Sequence, residues 1–126
     1  MKQRGRIIFG GKAEGMALVS SSPMSFYGGV DPETGEVVER GHELQGQSVK
    51  GRVLVFPHGK GSTVGSYVLY RLKKNRVAPC AIVNAKCETI VAVGAIISEI
   101  PCVDMIDIGK IAPNSRLRID GASVQS

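Results

Sequence analysis

The stretch "VLVFPHGKGSTVGSYVLYRLKKN", residues 53–75, holds the residues whose types and spacing suit chemistry: Lys60, Gly61, Ser62 and Thr63. Gly59 and Gly61 permit a sharp backbone turn after an apolar run, and Ser62 and Thr63 stand where a helix should open. A helix N-terminus offers free N–H groups and a positive dipole end, and Lys60 adds a full positive charge. Such a junction suits an anion or a developing oxyanion. Spacing argues against two familiar nucleotide loops. A P-loop needs GK followed by Ser or Thr, whereas Lys60 precedes Gly61 and Lys12 precedes Ala13. Gly59, Gly61 and Gly65 make GxGxxxG, one residue longer than the dinucleotide fingerprint. Roughly twenty residues further on, where an acidic ribose partner belongs, there is no carboxylate. Residue types leave two uses of Ser62 open, an ordinary N-cap and a hydroxyl held out for reaction. A capping box is missing, since Gly65 stands where Glu or Gln would sit.

The flanking elements must position this loop. "GRVLVFP", residues 51–57, is a continuous apolar run suited to a buried strand. Val64, Val68 and Leu72 recur on one helical face, which predicts a helix over 63–75, closed by Lys73, Lys74 and Asn75. "PCAIVN" reads as another buried strand and "CETIVAVGAII" as a second helix, with Glu88 suited to its positive end. "PCVDMIDIG" and "SRLRIDG" read as further strands, and "GRIIFGG" and "GMALVSS" as two strands at the start. Between the second of these and residue 51 lies a long glycine-rich stretch with a turn at "VDPETGE"; an irregular segment of that length is usually a functional loop or a linker. The order is β-β, long loop, β-α-β-α-β-β, an α/β domain with a partly parallel sheet and a small antiparallel or barrel-like addition.

Bulk properties narrow the class. The 126 residues suit one domain over 1–126, and 43% hydrophobic with 21% charged residues is globular composition. The longest uncharged apolar run, "IVAVGAII", is far short of the roughly 20 residues that cross a bilayer, and no signal-peptide core follows the basic start. The expectation is a soluble cytoplasmic protein with no membrane partner. Net charge is +5, concentrated in "KQRGR" and "RLKKNR", and favours anionic partners. "RLKKNR" also suits a helix C-terminus, and it lacks the interleaved aromatic residues that stack on bases. A basic nucleic-acid-binding or anion-binding domain is therefore the competing class, and no nucleic-acid partner is expected. Cys80, Cys87 and Cys102 match no disulfide, zinc or ferredoxin spacing; beside apolar neighbours they read as small buried hydrophobes, and no metal is expected on this chain.

Three segments carry a resemblance: "GMALVSSSPMSFYGGVDPETGEV", "GQSVKGRVLVFPHGKGSTVGSYVLYRL" and "VAVGAIISEIPCVD", in that order over about residues 5–105. In these the chain resembles the small subunit of the aconitase X family. The resemblance implies a swivelling β/β/α domain similar to the mobile fourth domain of aconitase. It implies a large-subunit partner that carries a four-iron iron–sulfur cluster (4Fe-4S) on its own cysteines, with no cofactor bound by this chain. Ser62 aligns with the family's proton-accepting serine. Lys60, Gly61 and Thr63, and Ser25, Gly28 and Gly29 from the long loop, are the expected substrate-binding or oxyanion-stabilising residues. Ordinary aconitases place an arginine two residues after the serine; Val64 stands there, so Lys60 or the large subunit must supply a cation. The archaeal branch of the family dehydrates 5-phosphomevalonate to trans-anhydromevalonate 5-phosphate, and another branch dehydrates cis-3-hydroxy-L-proline. The basic balance leans towards the phosphorylated substrate.

Overall fold

The computed structural model describes residues 1–126. The chain runs β1 (Lys2–Arg4), β2 (Arg6–Phe9), β3 (Lys12–Val19), β4 (Val53–Phe56), α1 (Gly65–Lys74), β5 (Ala81–Asn84), α2 (Thr89–Ser98), β6 (Cys102–Asp104), a short 3-10 turn (Ile108–Lys110), β7 (Arg116–Asp120) and β8 (Ser123–Gln125). Strands β3, β4, β5 and β6 are parallel neighbours, joined through α1 and α2 as right-handed crossovers would join them. On the other flank β3, β7, β8 and β1 pair antiparallel, and β2 pairs antiparallel with β6. Since only Gly5 separates β1 from β2, the two ends of the sheet are successive pieces of one strand. The sheet thereby closes on itself, which leaves no long unpaired edge.

Alternation along the strands sorts two apolar layers. Val53 and Val55 of β4, with Ala81, Val83, Val103, Leu117, Ile119 and Val124, fill the inside of the closed sheet. The opposite faces of the parallel strands, Leu54, Phe56, Ile82 and Cys102, pack under the helices against Leu69, Leu72, Val91 and Ala95. Gly94 brings the helices close; a Cβ there would lie 2.5 Å from Leu69 Cδ1.

The expected α/β order holds at its centre and differs at its ends. The first predicted strand, residues 5–11, is β2, and neither β1 before it nor β8 at the end was anticipated. "GMALVSS" pairs from Lys12 to Val19 and stops before the serines, because Glu43 Oε1 accepts from Ser21 N, Ser22 N and the hydroxyls of Ser20 and Ser21. "PCVDMIDIG" is a strand only over Cys102–Asp104. The long loop is irregular in hydrogen bonding but not loose: Met24, Phe26, Val30, Val37, Leu44 and Val49 are all buried in the helix-side core.

Candidate functional site

The loop after β4 is tied at its base. Asn84 Nδ2 donates to Phe56 O at 3.0 Å, linking the carboxyl ends of β5 and β4 where the chain leaves the sheet. Lys60 N donates to Met24 O at 3.0 Å, and Met24 N to His58 O at 3.2 Å, so residues 24 and 59 form a parallel bridge. Met24 and Phe26 are almost wholly buried, and the Phe26 ring meets Phe56 edge-on at 5.9 Å. Anchored on both sides, Ser25 is delivered to the glycine turn. Gly61 has φ +90°, and a Cβ on it would lie 2.6 Å from Ser25 Oγ. The 25–29 turn is equally tight, since a Cβ on Gly29 would strike the Ser25 carbonyl oxygen.

Ser62 is exposed. Its Oγ accepts the Val64 N–H at 3.2 Å, and its carbonyl accepts Gly65 N at 2.9 Å. Thr63 O accepts from Ser66 through both N–H and hydroxyl, at 3.3 and 3.0 Å. These turns consume the first N–H groups before the helix begins, so α1 starts at Gly65 with Val64 as N-cap and no side-chain cap bond. The expected N-cap role of Ser62 and the helix start at residue 63 are therefore corrected: Ser62 lies in the turn leading into α1. The N–H groups of Gly61, Ser62 and Thr63 donate to no acceptor in the chain, and the first turn of α1 contains no acidic residue. Three successive free N–H groups beside a helix N-terminus make a concavity for negative charge. At α2, by contrast, Glu88 fills that role from within, accepting from Ile90 N at 2.9 Å and Val91 N at 2.8 Å.

Beside Ser62 lies an open depression of about 370 Å³ lined by Ser25, Tyr27, Gly28, Gly29, Glu39, Lys60 and Gly61. It unites five of the predicted residues, while Ser62 and Thr63 follow its Gly61 wall in the chain. Lys60 is nearby as expected, yet its Nζ is 3.2 Å from Glu39 Oε2. The cation is thus already partnered. Glu39 escaped sequence reasoning because no motif contains it; only Gly29 O, accepting the N–H groups of Val38 and Glu39, brings it here. A larger depression, about 480 Å³, opens among Lys12, Glu14, Arg118 and Asp120 on the outer face of the antiparallel strands. None of the segments singled out in the sequence lines it, and the Glu14 carboxylate there is held 2.6 Å from Arg116.

Other candidates prove structural. His42 is buried, with Nδ1 accepting Leu44 N at 3.0 Å and Nε2 3.1 Å from Pro23 O. Arg71, Lys73 and Lys74 of "RLKKNR" lie in the last turn of α1, at the opposite end from Ser62. Contact with Cys87 and burial push the Cys102 thiol up, and burial does the same for Cys80. No three His, Cys, Asp or Glu side chains stand close enough to hold a metal, so the donor set of this chain does not fit an iron–sulfur cluster.

A family model described as the aconitase X swivel domain matches residues 2–125. Two relatives are each named phosphomevalonate dehydratase small subunit. That of Thermococcus kodakarensis is 58% identical over 98% of this chain and 92% of its own length. That of Methanosarcina mazei is 65% identical over 85% of this chain and 74% of its own length. Among solved structures, the holo-form crystal structure of Thermococcus kodakaraensis aconitase X superposes with a TM-score of 0.97 at 55% identity, covering 99% of this chain and 97% of that one. A solution NMR structure of a UPF0107 protein gives 0.90 at 50% identity, covering 99% and 98%.

Proposed function

The chain belongs to the aconitase X swivel domain family, and on that premise we propose that it is the small subunit of a two-chain dehydratase. Its substrate is (R)-5-phosphomevalonate and its product trans-anhydromevalonate 5-phosphate, a cytoplasmic step of the mevalonate route to isoprenoids. The names of the relatives support this substrate over cis-3-hydroxy-L-proline. The name "small subunit" supports a larger partner, and we assign the 4Fe-4S cluster to that partner, where it would supply Lewis acidity for the departing hydroxyl. Activity then requires both chains. The outward face of α2 fits such an assembly: Val93, Ile96 and Ile97 are 42–49% exposed on a helix without a charged residue, and a helix apolar all round is ordinarily covered.

This chain's own part is the proton. Ser62 Oγ, as an oxyanion, takes the carbon-bound proton; the C–H electrons form the new double bond as the C–O bond to the hydroxyl breaks. A serine hydroxyl is a poor base until its oxyanion is stabilised. The observation that carries this assignment is the Val64 N–H directed at Ser62 Oγ beside the three free N–H groups. Gly61 and Thr63 contribute through those backbone groups, and Ser25, Gly28, Gly29 and Lys60 form the substrate wall. The test is anaerobic reconstitution with the large subunit: Ser62→Ala should assemble normally and lose about 10³-fold in kcat, the scale of a removed acid–base group. Activity within tenfold of the unsubstituted complex overturns the assignment.

A further inference from the structure

Asn84, the last residue of β5, is wholly buried in an otherwise apolar strand. Its Nδ2 donates to Phe56 O at 3.0 Å and to Val83 O at 3.3 Å, whereas its Oδ1 has no partner. Reversing the amide would set an oxygen against those two carbonyl oxygens, so the donor end is the one in use. A buried acceptor without a partner destabilises the fold, and an apolar side chain of similar shape would carry no such cost. The bond to Phe56 O falls where the glycine turn leaves β4. We propose that Asn84 is a positioning residue for the reaction: its amide fixes the Phe56 carbonyl, and through it the path by which the turn delivers Ser62. This rests on the proton assignment above for the chemistry, while the effect on the turn itself is read without turnover.

The path from Phe56 to the site is bonded at successive carbonyls. Phe56 O is held by Asn84, Pro57 O accepts Lys86 N at 3.1 Å, and His58 O accepts Met24 N at 3.2 Å. Lys60 N returns to Met24 O at 3.0 Å, which completes the bridge between residues 24 and 59. Beyond Lys60 the N–H groups of residues 61–63 donate to no acceptor in the chain. Ser62 is therefore placed from two sides, by this ladder and by Gly65 N at the head of α1. Pro57 has its φ fixed by its ring, so a rotation at Phe56 is passed along the turn instead of being absorbed at the next residue. Phe56 also bears on the opposite wall, since its ring meets that of Phe26, the residue after Ser25. Two donors at the end of β5 hold the root of the turn, Asn84 Nδ2 and Lys86 N, and the first is the one a substitution removes.

Asn84→Leu keeps the bulk and removes the amide. It abolishes one unpaired oxygen and deprives Phe56 O of this donor, so the free chain should melt within about 5 °C of the unsubstituted one. In that chain the backbone amide signals of Lys60, Gly61 and Ser62 should shift, while that of Gly121, between β7 and β8, stays. In the anaerobically reconstituted complex, kcat per assembled complex should fall about tenfold with KM within about twofold, since a displacement of about 1 Å would cost about 100-fold. A residue that only stabilised the fold would lower Tm and the yield of complex and leave kcat of the assembled enzyme intact. Ser98→Ala is the control: it removes the other unpaired buried oxygen, at the far end of α2, and should move neither the loop signals nor kcat. Should Asn84→Leu fail to fold, Asn84→Ser, which fits without repacking and whose hydroxyl is one bond too short for Phe56 O, should show the same loss of kcat. Unmoved signals at residues 60–62, or kcat within about threefold of the unsubstituted complex, overturn the positioning role. Retained activity in Ser62→Ala overturns the proton assignment alone, because the loop signals of Asn84→Leu are read in the free chain.

Discussion

Replacing Gly61 by alanine tests whether the Ser25–Gly61 contact shapes the loop proposed to accept the proton. An L-residue at φ +90° carries about 1–2 kcal/mol of backbone strain. The new Cβ would stand 2.6 Å from Ser25 Oγ, which must rotate and surrender its 3.1 Å bond to Tyr27 O, worth about 1 kcal/mol. The total is about 2–3 kcal/mol if the loop stays put, a fall in Tm of about 10 °C for a domain of this size. If the loop relaxes instead, Ser62 moves with it, and a shift of about 1 Å costs about 100-fold in rate. Gly28→Ala is the control: φ is +76°, but a Cβ there has no neighbour within 4 Å. It should lose only the strain, about 1 kcal/mol, with kcat within threefold. Adding Ser25→Gly to Gly61→Ala removes the obstructing oxygen but not the loss of the bond to Tyr27 O, so it should leave stability unrestored and recover most of the rate. Thermal unfolding of the free chain and kcat of the reconstituted complex read the two terms. Equal effects of Gly61→Ala and Gly28→Ala, with no recovery of rate from Ser25→Gly, would refute the reasoning.

Two further outcomes concern the frame that carries this loop. Burial pushes the Glu43 carboxyl up, but hydrogen bonds from the hydroxyls of Ser21 and Ser20 and the N–H groups of Ser21 and Ser22 outweigh it and hold it at about 2. A carboxylate with a depressed folded pKa stabilises above its unfolded value and loses that contribution as pH falls from 4.5 through about 2. Discounted for solvent exposure the effect is about 1 kcal/mol, and Glu43→Gln should flatten the acid limb of a urea-unfolding pH series in that window. Asp104→Asn removes the charge and one of the two oxygens that accept from Arg6 at 2.9 and 2.7 Å and from Cys87 N at 2.8 Å, in a wholly buried position. It should cost about 3 kcal/mol in urea unfolding and leave kcat of the folded complex unchanged.

Local signals made the centre of the fold legible. "RVLVF" and "AIVN" are unbroken apolar runs because β4 and β5 are covered on both faces, and the helices show their buried stripes. The closure of the sheet left no such trace. Strand β1 is "KQR" and pairs with β8 across almost the whole chain, so neither is apolar enough or near enough to its partner to announce itself. The long loop stood out by its glycines, yet Met24, Phe26 and Val30 are scattered without period, and their burial follows only from the helix-side core. At the site, Ser62, Lys60 and Gly61 were readable because a glycine turn between strand and helix is a local pattern. Glu39 was not, since it reaches Lys60 across 21 residues through the Gly29 carbonyl.

The two helices that begin beside this site differ in one respect that bears on its chemistry. Glu88 satisfies the first N–H groups of α2 and neutralises its positive end, and Gly59 packs against that same carboxylate. At α1 the corresponding residue is Val64, which has no capping side chain, and the first turn contains no carboxylate. A carboxylate there would stabilise the helix as Glu88 does, by about 1 kcal/mol. On the proposed proton assignment it would also stand against the negative charge developed on Ser62 and the anion beside it. α1 therefore begins without the neutralising carboxylate that α2 has, next to the unbonded N–H groups of Gly61, Ser62 and Thr63. On the proposed proton assignment, the negative charge that completes it comes from Ser62 and the substrate beside it.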